Sequence, residues 1–217
     1  DMDDVALVSV SQNGRQEILR ADAVLVATGR RPNIEGLNLD KAGVDLTDRG
    51  AIKTDEGLRT TASHIWAMGD VVGGLQFTYI SLDDSRIVKS QVLGEGERTT
   101  QNRGEVPYSI FVDPPFSRVG LTEKQALEAG YTIKKSVLPA QAIPKALVIG
   151  RPEGLLKAII DEETGKILGA HLFCAESQEM INIIKMVMDA NLPYTVLRDG
   201  IFTHPTMSEA LNDLFAL

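Results

Sequence analysis

Residues 154–190, GLLKAIIDEETGKILGAHLFCAESQEMINIIKMVMDA, join two short apolar segments to one amphipathic segment. The apolar segments 154–161 and 166–174 flank Thr164-Gly165, which predicts a β-hairpin. From Ser177 to Ala190 the apolar residues keep helical spacing, and Asn191 and Pro193 end the pattern. Strands followed by a helix, without strict alternation, indicate an α+β fold.

The same pattern extends over residues 107–217, which we expect to form a self-sufficient unit with an antiparallel sheet flanked by helices. Thr122-x-x-Gln125 is a capping box, and it predicts a short helix that ends at Gly130. The remaining predicted elements are the strands Tyr108–Val112, Ser117–Leu121 and Thr132–Leu138, and a last helix at Thr206–Phe215.

The first hundred residues read differently, as loops with a few regular elements. Asn13-Gly14 predicts a two-residue hairpin turn. Because a single hairpin is marginally stable alone, we expect the chain to begin within a domain. The predicted elements are the hairpin strands Val5–Val10 and Gln16–Ala21, a buried strand Ala23–Ala27, a strand Ile65–Met68, and a helix Thr78–Leu93 that Gly94 ends.

Composition excludes several classes of function. The net charge is −8 and the hydrophobic content 43%. Nucleic-acid binding is disfavoured, because it depends on clustered Lys and Arg. No apolar run approaches the roughly 18 residues of a membrane span, so we expect no membrane association. Cys174 is the sole cysteine. We expect a buried structural thiol there, a cytoplasmic setting, and no metal site at His64 or His171.

Asp70 is the first candidate ligand-binding residue, since it follows a predicted strand at the position where open α/β sheets bind ligands. A carboxylate there can accept hydrogen bonds from hydroxyl groups, Gly69 lets the backbone approach closely, and the helix from Thr78 could direct its N-terminus at negative charge. The alternative is an Asp that caps a turn. Thr28-Gly29-Arg30 similarly fits a crossover beside a ligand or an ordinary turn.

His204 and Glu209 are the candidate catalytic pair. An imidazole with a carboxylate partner suits proton transfer, and Pro205 restricts the backbone of the histidine. Two alternatives stay open at this point. Thr206-x-x-Glu209 is itself a capping box, so Glu209 could simply begin a helix, and His204 could be an ordinary surface or core histidine.

Taken together these residues resemble the C-terminal half of the class I pyridine nucleotide-disulfide oxidoreductases, the family of glutathione reductase, lipoamide dehydrogenase and mercuric reductase. The matching motifs occur in the family's order and spacing. They are Ala27-Thr28-Gly29-Arg30-Arg31-Pro32-Asn33, Ile65-Trp66-Ala67-Met68-Gly69-Asp70, Pro115-Phe116-Ser117-Arg118-Val119-Gly120-Leu121-Thr122-Glu123 and His204-Pro205-Thr206-x-Ser208-Glu209.

The resemblance implies three domains: residues 1–29 as the tail of an NAD(P)H-binding domain, 30–104 as the returning segment of an FAD-binding domain, and 107–217 as a dimerisation domain. It implies FAD and NAD(P)H as cofactors, and Asp70 as a ligand of the ribityl chain. His204, supported by Glu209, would serve the redox disulfide of the other subunit. The implied cofactor-binding residues are Thr28, Gly29, Arg30, Gly69, Asp70, Gln76, Phe77 and Thr78.

The chain also departs from the family pattern, because it contains neither GxGxxG nor CxxxxC. We therefore expect the chain alone to be inactive. Residues 74–84, GLQFTYISLDD, are unusual for the family and most resemble a bacterial flavoprotein branch linked to reactive-chlorine resistance. The resemblance to that branch implies that the electron acceptor need not be a small disulfide, and we expect a small molecule or a metal ion.

Two other hypotheses remain. The chain could be a self-association module without cofactor or catalysis. It could instead be a relative of the coenzyme A and NADH-oxidase branch with a single active Cys, against which the His-Pro-x-x-x-Glu element counts. For a homodimer through residues 107–217, we predict helices 177–190 and 206–215 near the two-fold axis.

Overall fold

The computed structural model describes residues 5–94 and 96–217. The chain forms two compact units, Asp1–Thr100 and Gln101–Leu217. Each unit is described by itself. The finer domain boundaries expected near residues 29 and 104–107 stay predictions.

The second unit is built on a five-stranded antiparallel sheet with the order β3-β4-β7-β6-β5. The hairpin predicted at 154–174 is confirmed as the pair β6–β7. The α+β architecture predicted for this part of the chain is therefore confirmed. The strands are β3 Tyr108–Ile110, β4 Phe116–Gly120, β5 Ile133–Pro139, β6 Leu155–Asp161 and β7 Ile167–Phe173.

The helices of this unit are short except for one. The capping box at Thr122 is present, with the Thr122 hydroxyl accepting from the N–H of Gln125 and the Gln125 side chain accepting from the N–H of Thr122. The helices of the second unit are α2 Glu123–Glu128, α3 Pro144–Val148, α4 Ser177–Asp189, α5 Thr195–Arg198 and α6 Ala210–Leu214.

The core of the second unit lies between the sheet and α4 and α6, because alternate strand residues face the helices. Leu156, Leu172, Met180 and Leu211 are completely buried there. The opposite face of the sheet carries the paired row Tyr108, Arg118, His171 and Lys157.

The first unit contains the predicted hairpin and helix. Strands β1 Ala6–Gln12 and β2 Arg15–Ala21 pair in antiparallel register. Asn13 and Gly14 take φ values of 51° and 77°, the left-handed pair that a type I′ turn requires. Helix α1 spans Thr78–Leu93 and ends at Gly94, as predicted. A 3₁₀ turn at Gly69–Val72 precedes it.

Two predicted strands are wrong. Residues 23–27 form no strand, and Leu25 and Val26 are 90% and 76% exposed. A buried strand needs neighbouring strands, and none of the strands in the described residues pairs with this segment. At 65–68 the structure has a single bridge between Arg59 and Trp66 instead of a strand.

The last helix is shorter than predicted, because it begins at Ala210 and not at Thr206. Residues 206–209 form bends and turns instead. The side chain of Glu209 contacts His204 instead of completing the capping box predicted at Thr206.

Candidate active site

The His204 imidazole and the Glu209 carboxylate are in direct contact. His204 Nδ1 and Glu209 Oε2 are 2.8 Å apart. The carboxylate side chain is 15% exposed and the imidazole 70% exposed. Because an ionised carboxylate only accepts hydrogen bonds, this contact places the ring proton on Nδ1 and leaves Nε2 as the free ring nitrogen.

The local hydrogen bonds show why the segment before α6 takes this shape. The Thr206 hydroxyl donates to the carbonyl of Thr203 at 2.7 Å and accepts from the N–H of Glu209 at 3.3 Å. This is one half of a capping box, while the Glu209 side chain turns to His204. Buried Met207, together with Leu211, fixes the segment to the core.

Asp70 lies in the 3₁₀ turn and contacts Arg30, which is 40 positions earlier. The distance between Arg30 Nη1 and Asp70 Oδ2 is 3.0 Å. Both side chains are substantially exposed, so the ion pair itself contributes about 0–1 kcal/mol to stability. Two of the predicted cofactor-binding residues are thus brought together by the fold.

Asp84 stabilises the 3₁₀ turn at Gly69–Val72. Sequence analysis did not single this residue out. Its buried carboxylate accepts a hydrogen bond from the N–H of Gly69 at 2.9 Å. Gly69 has φ 76°, and a Cβ there would lie 3.0 Å from Ser81 Oγ. The positive φ and this close approach favour glycine at the turn before α1.

The remaining predicted cofactor-binding residues also belong to the first unit. Thr28 and Gly29 are exposed, and Gln76 is partly buried. Phe77 precedes α1 and stacks on Tyr79, with ring centroids 5.1 Å apart. Thr78 begins α1, and no side chain caps the N-terminus of this helix.

Two further residues of the second unit carry side chains that could react or titrate, Cys174 and His171. Cys174 is fully buried, and burial followed by the charge of Glu176 raises the pKa of its thiol to about 12. His171 lies on the sheet, where burial lowers its pKa to about 4, with further lowering by Arg118 and Lys157. Among residues 5–94 and 96–217, no three His, Cys, Asp or Glu side chains approach closely enough to hold a metal ion.

Comparison with known proteins connects the two sites to one family. Residues 106–215 match the family model of the pyridine nucleotide-disulphide oxidoreductase dimerisation domain, and residues 1–85 match the model of pyridine nucleotide-disulphide oxidoreductase. The chain belongs to the pyridine nucleotide-disulfide oxidoreductase family. The resemblance drawn from its motifs is confirmed.

The branch predicted from residues 74–84 is also confirmed. The chain is 59% identical over 199 residues to a probable pyridine nucleotide-disulfide oxidoreductase, RclA, of Escherichia coli, covering 92% of this chain and 45% of that protein. The solved Cu(II) complex of the HOCl-induced flavoprotein disulfide reductase RclA from Escherichia coli superposes with a TM-score of 0.92 at 57% identity, covering 97% of this chain and 48% of that one.

A mercuric reductase of Staphylococcus aureus is 39% identical over 204 residues, covering 94% of this chain and 37% of that protein. The chain therefore spans less than half of the length of these curated relatives. No described helix is long and apolar enough to cross a membrane.

Proposed function

We propose that this chain forms the C-terminal part of an FAD-dependent NAD(P)H oxidoreductase that acts as a homodimer in the cytoplasm. The observation that carries the proposal is the 2.8 Å contact between His204 Nδ1 and Glu209 Oε2. It supplies a largely exposed imidazole that is held by a carboxylate, in a chain whose family reduces disulfides.

The pair would move a proton at Nε2 of His204. With Nδ1–H donated to Glu209, the Nε2 lone pair can accept a proton from a thiol, and the resulting imidazolium is stabilised by the carboxylate. In the proposed dimer, the thiol belongs to the redox disulfide of the other subunit, so each site would need both subunits.

The first unit offers groups that fit a flavin nucleotide. The Asp70 carboxylate can accept hydrogen bonds from ribityl hydroxyls, while its contact with Arg30 orients it. The N-terminus of α1 presents backbone N–H groups without a side-chain cap, which favours electron-rich ligand atoms. When bound, FAD would supply the hydride and electron transfer chemistry that no side chain of this chain can supply.

Self-association through residues 107–217 is supported by the match to a dimerisation domain. Met186 on α4 is 65% exposed and Ile201 near α6 is fully exposed, which suits apolar surfaces near a two-fold axis. Sedimentation at micromolar concentration should show a dimer of the 23.6 kDa chain. A monomer at that concentration would refute this part of the proposal.

The electron acceptor is a small molecule or a metal ion. The relatives favour both possibilities, because one is named for mercuric ion reduction and one solved structure is a Cu(II) complex of a disulfide reductase. Rates with a small disulfide and with Cu(II) would separate them.

The proposal is tested in the full-length protein that contains this segment, by separating the two half-reactions. His204→Gln should leave the reduction of the flavin by NAD(P)H unchanged and slow the transfer to a disulfide about 10²–10⁴-fold, the range of general acid–base catalysis. Exposed His64 provides the control substitution His64→Gln. Equal slowing of both half-reactions, or of neither, would contradict the assigned role.

For the 217-residue chain alone, a second function is favoured: self-association without catalysis. The chain has one cysteine, which is buried, so it offers no cysteine pair. We expect a colourless dimer, whereas flavin absorbance near 450 nm in the purified chain would contradict this.

A further inference from the structure

Asn212 makes three contacts to one loop. Its Nδ2 atom lies 2.9 Å from the carbonyl oxygen of Leu197, 3.0 Å from that of Arg198 and 2.9 Å from that of Gly200. A side-chain amide has two N–H donors, so at least one of them is shared between two of the three oxygens. The first two carbonyls belong to the last turn of α5, where backbone oxygens have no partner within the helix.

The position of Asn212 on α6 connects these contacts with the candidate catalytic pair. Glu209 immediately precedes α6 and Asn212 is the third residue of that helix, with the N–H of Asn212 donating to the carbonyl of Glu209 at 3.1 Å. Glu209 holds His204 at one end of the segment, and Asn212 holds residues 197–200 at the other. Between these two attachments Ile201 is fully exposed, whereas Phe202 is half-buried and packs against the core.

The support for both attachments is rigid. Leu211, Leu214 and Phe215 are completely buried in the core of the second unit. Because α6 is anchored in this way, Asn212 is a fixed donor for the carbonyls of residues 197–200, and it adds to the core contacts of Leu197 and Phe202.

We propose that Asn212 is a positioning residue that fixes the segment 197–204 and thereby keeps the imidazole of His204 in hydrogen-bond reach of Glu209. The consequence for catalysis rests on the function proposed above, whereas the positioning itself does not. Loss of Asn212 leaves three carbonyl oxygens without this donor. The segment 197–204 then becomes more mobile, which weakens the hydrogen bond between His204 and Glu209.

The test reads the His204 tautomer in the isotope-labelled 217-residue chain by imidazole ¹H–¹⁵N spectroscopy. The contact with Glu209 should make the Nδ1–H form predominant in the unaltered chain. In Asn212→Ala the ratio of the Nδ1–H to the Nε2–H form should fall about fivefold or more, as expected when one hydrogen bond is weakened. Asn212→Asp should have a larger effect, because carboxylate oxygens would face carbonyl oxygens.

Asn182→Ala is the matched control. Asn182 is exposed on α4, and its amide donates to one carbonyl of its own helix, that of Gln178, at 2.9 Å. Its removal should leave the tautomer ratio of His204 unchanged. If Asn212→Ala does not fold, Asn212→Ser, which keeps one donor, takes its place.

Two results would overturn the proposal. One is a folded Asn212→Ala or Asn212→Ser variant with an unchanged His204 tautomer ratio. The other is seen without any substitution: if the side-chain NH₂ hydrogens of Asn212 exchange with solvent as fast as those of Asn182, the three contacts do not hold. A failed half-reaction test with His204→Gln would leave these spectra unaffected, so the two proposals fail separately.

Discussion

Replacing His171 by Phe should stabilise the chain, and increasingly so at acid pH. Both ring nitrogens of His171 are buried and have no hydrogen-bond partner among the described residues. The ring lies on the sheet between Arg118 of β4 and Lys157 of β6, and Glu123 of α2 pairs with that lysine. A buried polar atom without a partner costs about 1–3 kcal/mol, so removing both nitrogens should raise the free energy of unfolding at neutral pH by about 1–3 kcal/mol.

The acid dependence follows from the pKa of His171, which is lowered from 6.5 to about 4 by burial first and then by Arg118 and Lys157. Between these two values the unfolded chain binds a proton that the folded chain does not, so the stability of the unaltered chain falls as the pH falls from 6.5 to 4. The difference between the two pKa values of His171 corresponds to at most about 3.4 kcal/mol of stability. Because the ring is only partly buried, solvent screening reduces this to about 1–2 kcal/mol.

Urea unfolding of both chains between pH 7 and pH 4, followed by a probe in the second unit, measures the difference directly. The gap in stability between His171→Phe and the unaltered chain should widen by about 1–2 kcal/mol over this range. His64→Phe, at an exposed position in the first unit, controls for a loss of histidine in general. Parallel pH profiles, or a destabilised His171→Phe at pH 7, would refute the reasoning.

Two further predictions concern the second unit. The thiol of Cys174 has a pKa raised to about 12, so it should not react with a thiol reagent at pH 8 in the folded chain. It should react once the chain is unfolded in urea. Reaction in the folded chain would show that the thiol is accessible. Thr122→Ala removes the capping box of α2 and should cost about 1 kcal/mol of stability, whereas Thr122→Ser should cost much less. Equal effects of the two changes in thermal unfolding would contradict a role for the hydroxyl.

The elements predicted well are those that local sequence determines. The capping box at Thr122, the turn at Asn13-Gly14 and the amphipathic helix α4 each depend on residues within a few positions of one another. The strand predicted at 23–27 was wrong for the opposite reason. Its apolar composition is that of a buried strand, but burial depends on neighbours that local sequence does not specify.

The contacts of the candidate site also differ in whether local sequence predicts them. His204 and Glu209 are five positions apart, so their motif alone was sufficient to predict the contact between them. Asn212, which binds three carbonyls, and Asp84, which supports Gly69, carry no motif, because their partners lie 12–15 residues away. The pairing of Arg30 with Asp70 across 40 residues likewise requires the fold.

Mixing two inactive forms of the full-length protein tests the shared site most directly. One form carries His204→Gln, and the other has a substitution in the redox cysteine pair that we propose for the full-length protein. Random re-association makes about half of the dimers mixed, and each mixed dimer has one site with both an intact cysteine pair and an intact His204 from the other subunit. Recovery of about a quarter of the disulfide reductase activity is the predicted result. No recovery in confirmed mixed dimers would mean that His204 does not serve the partner subunit.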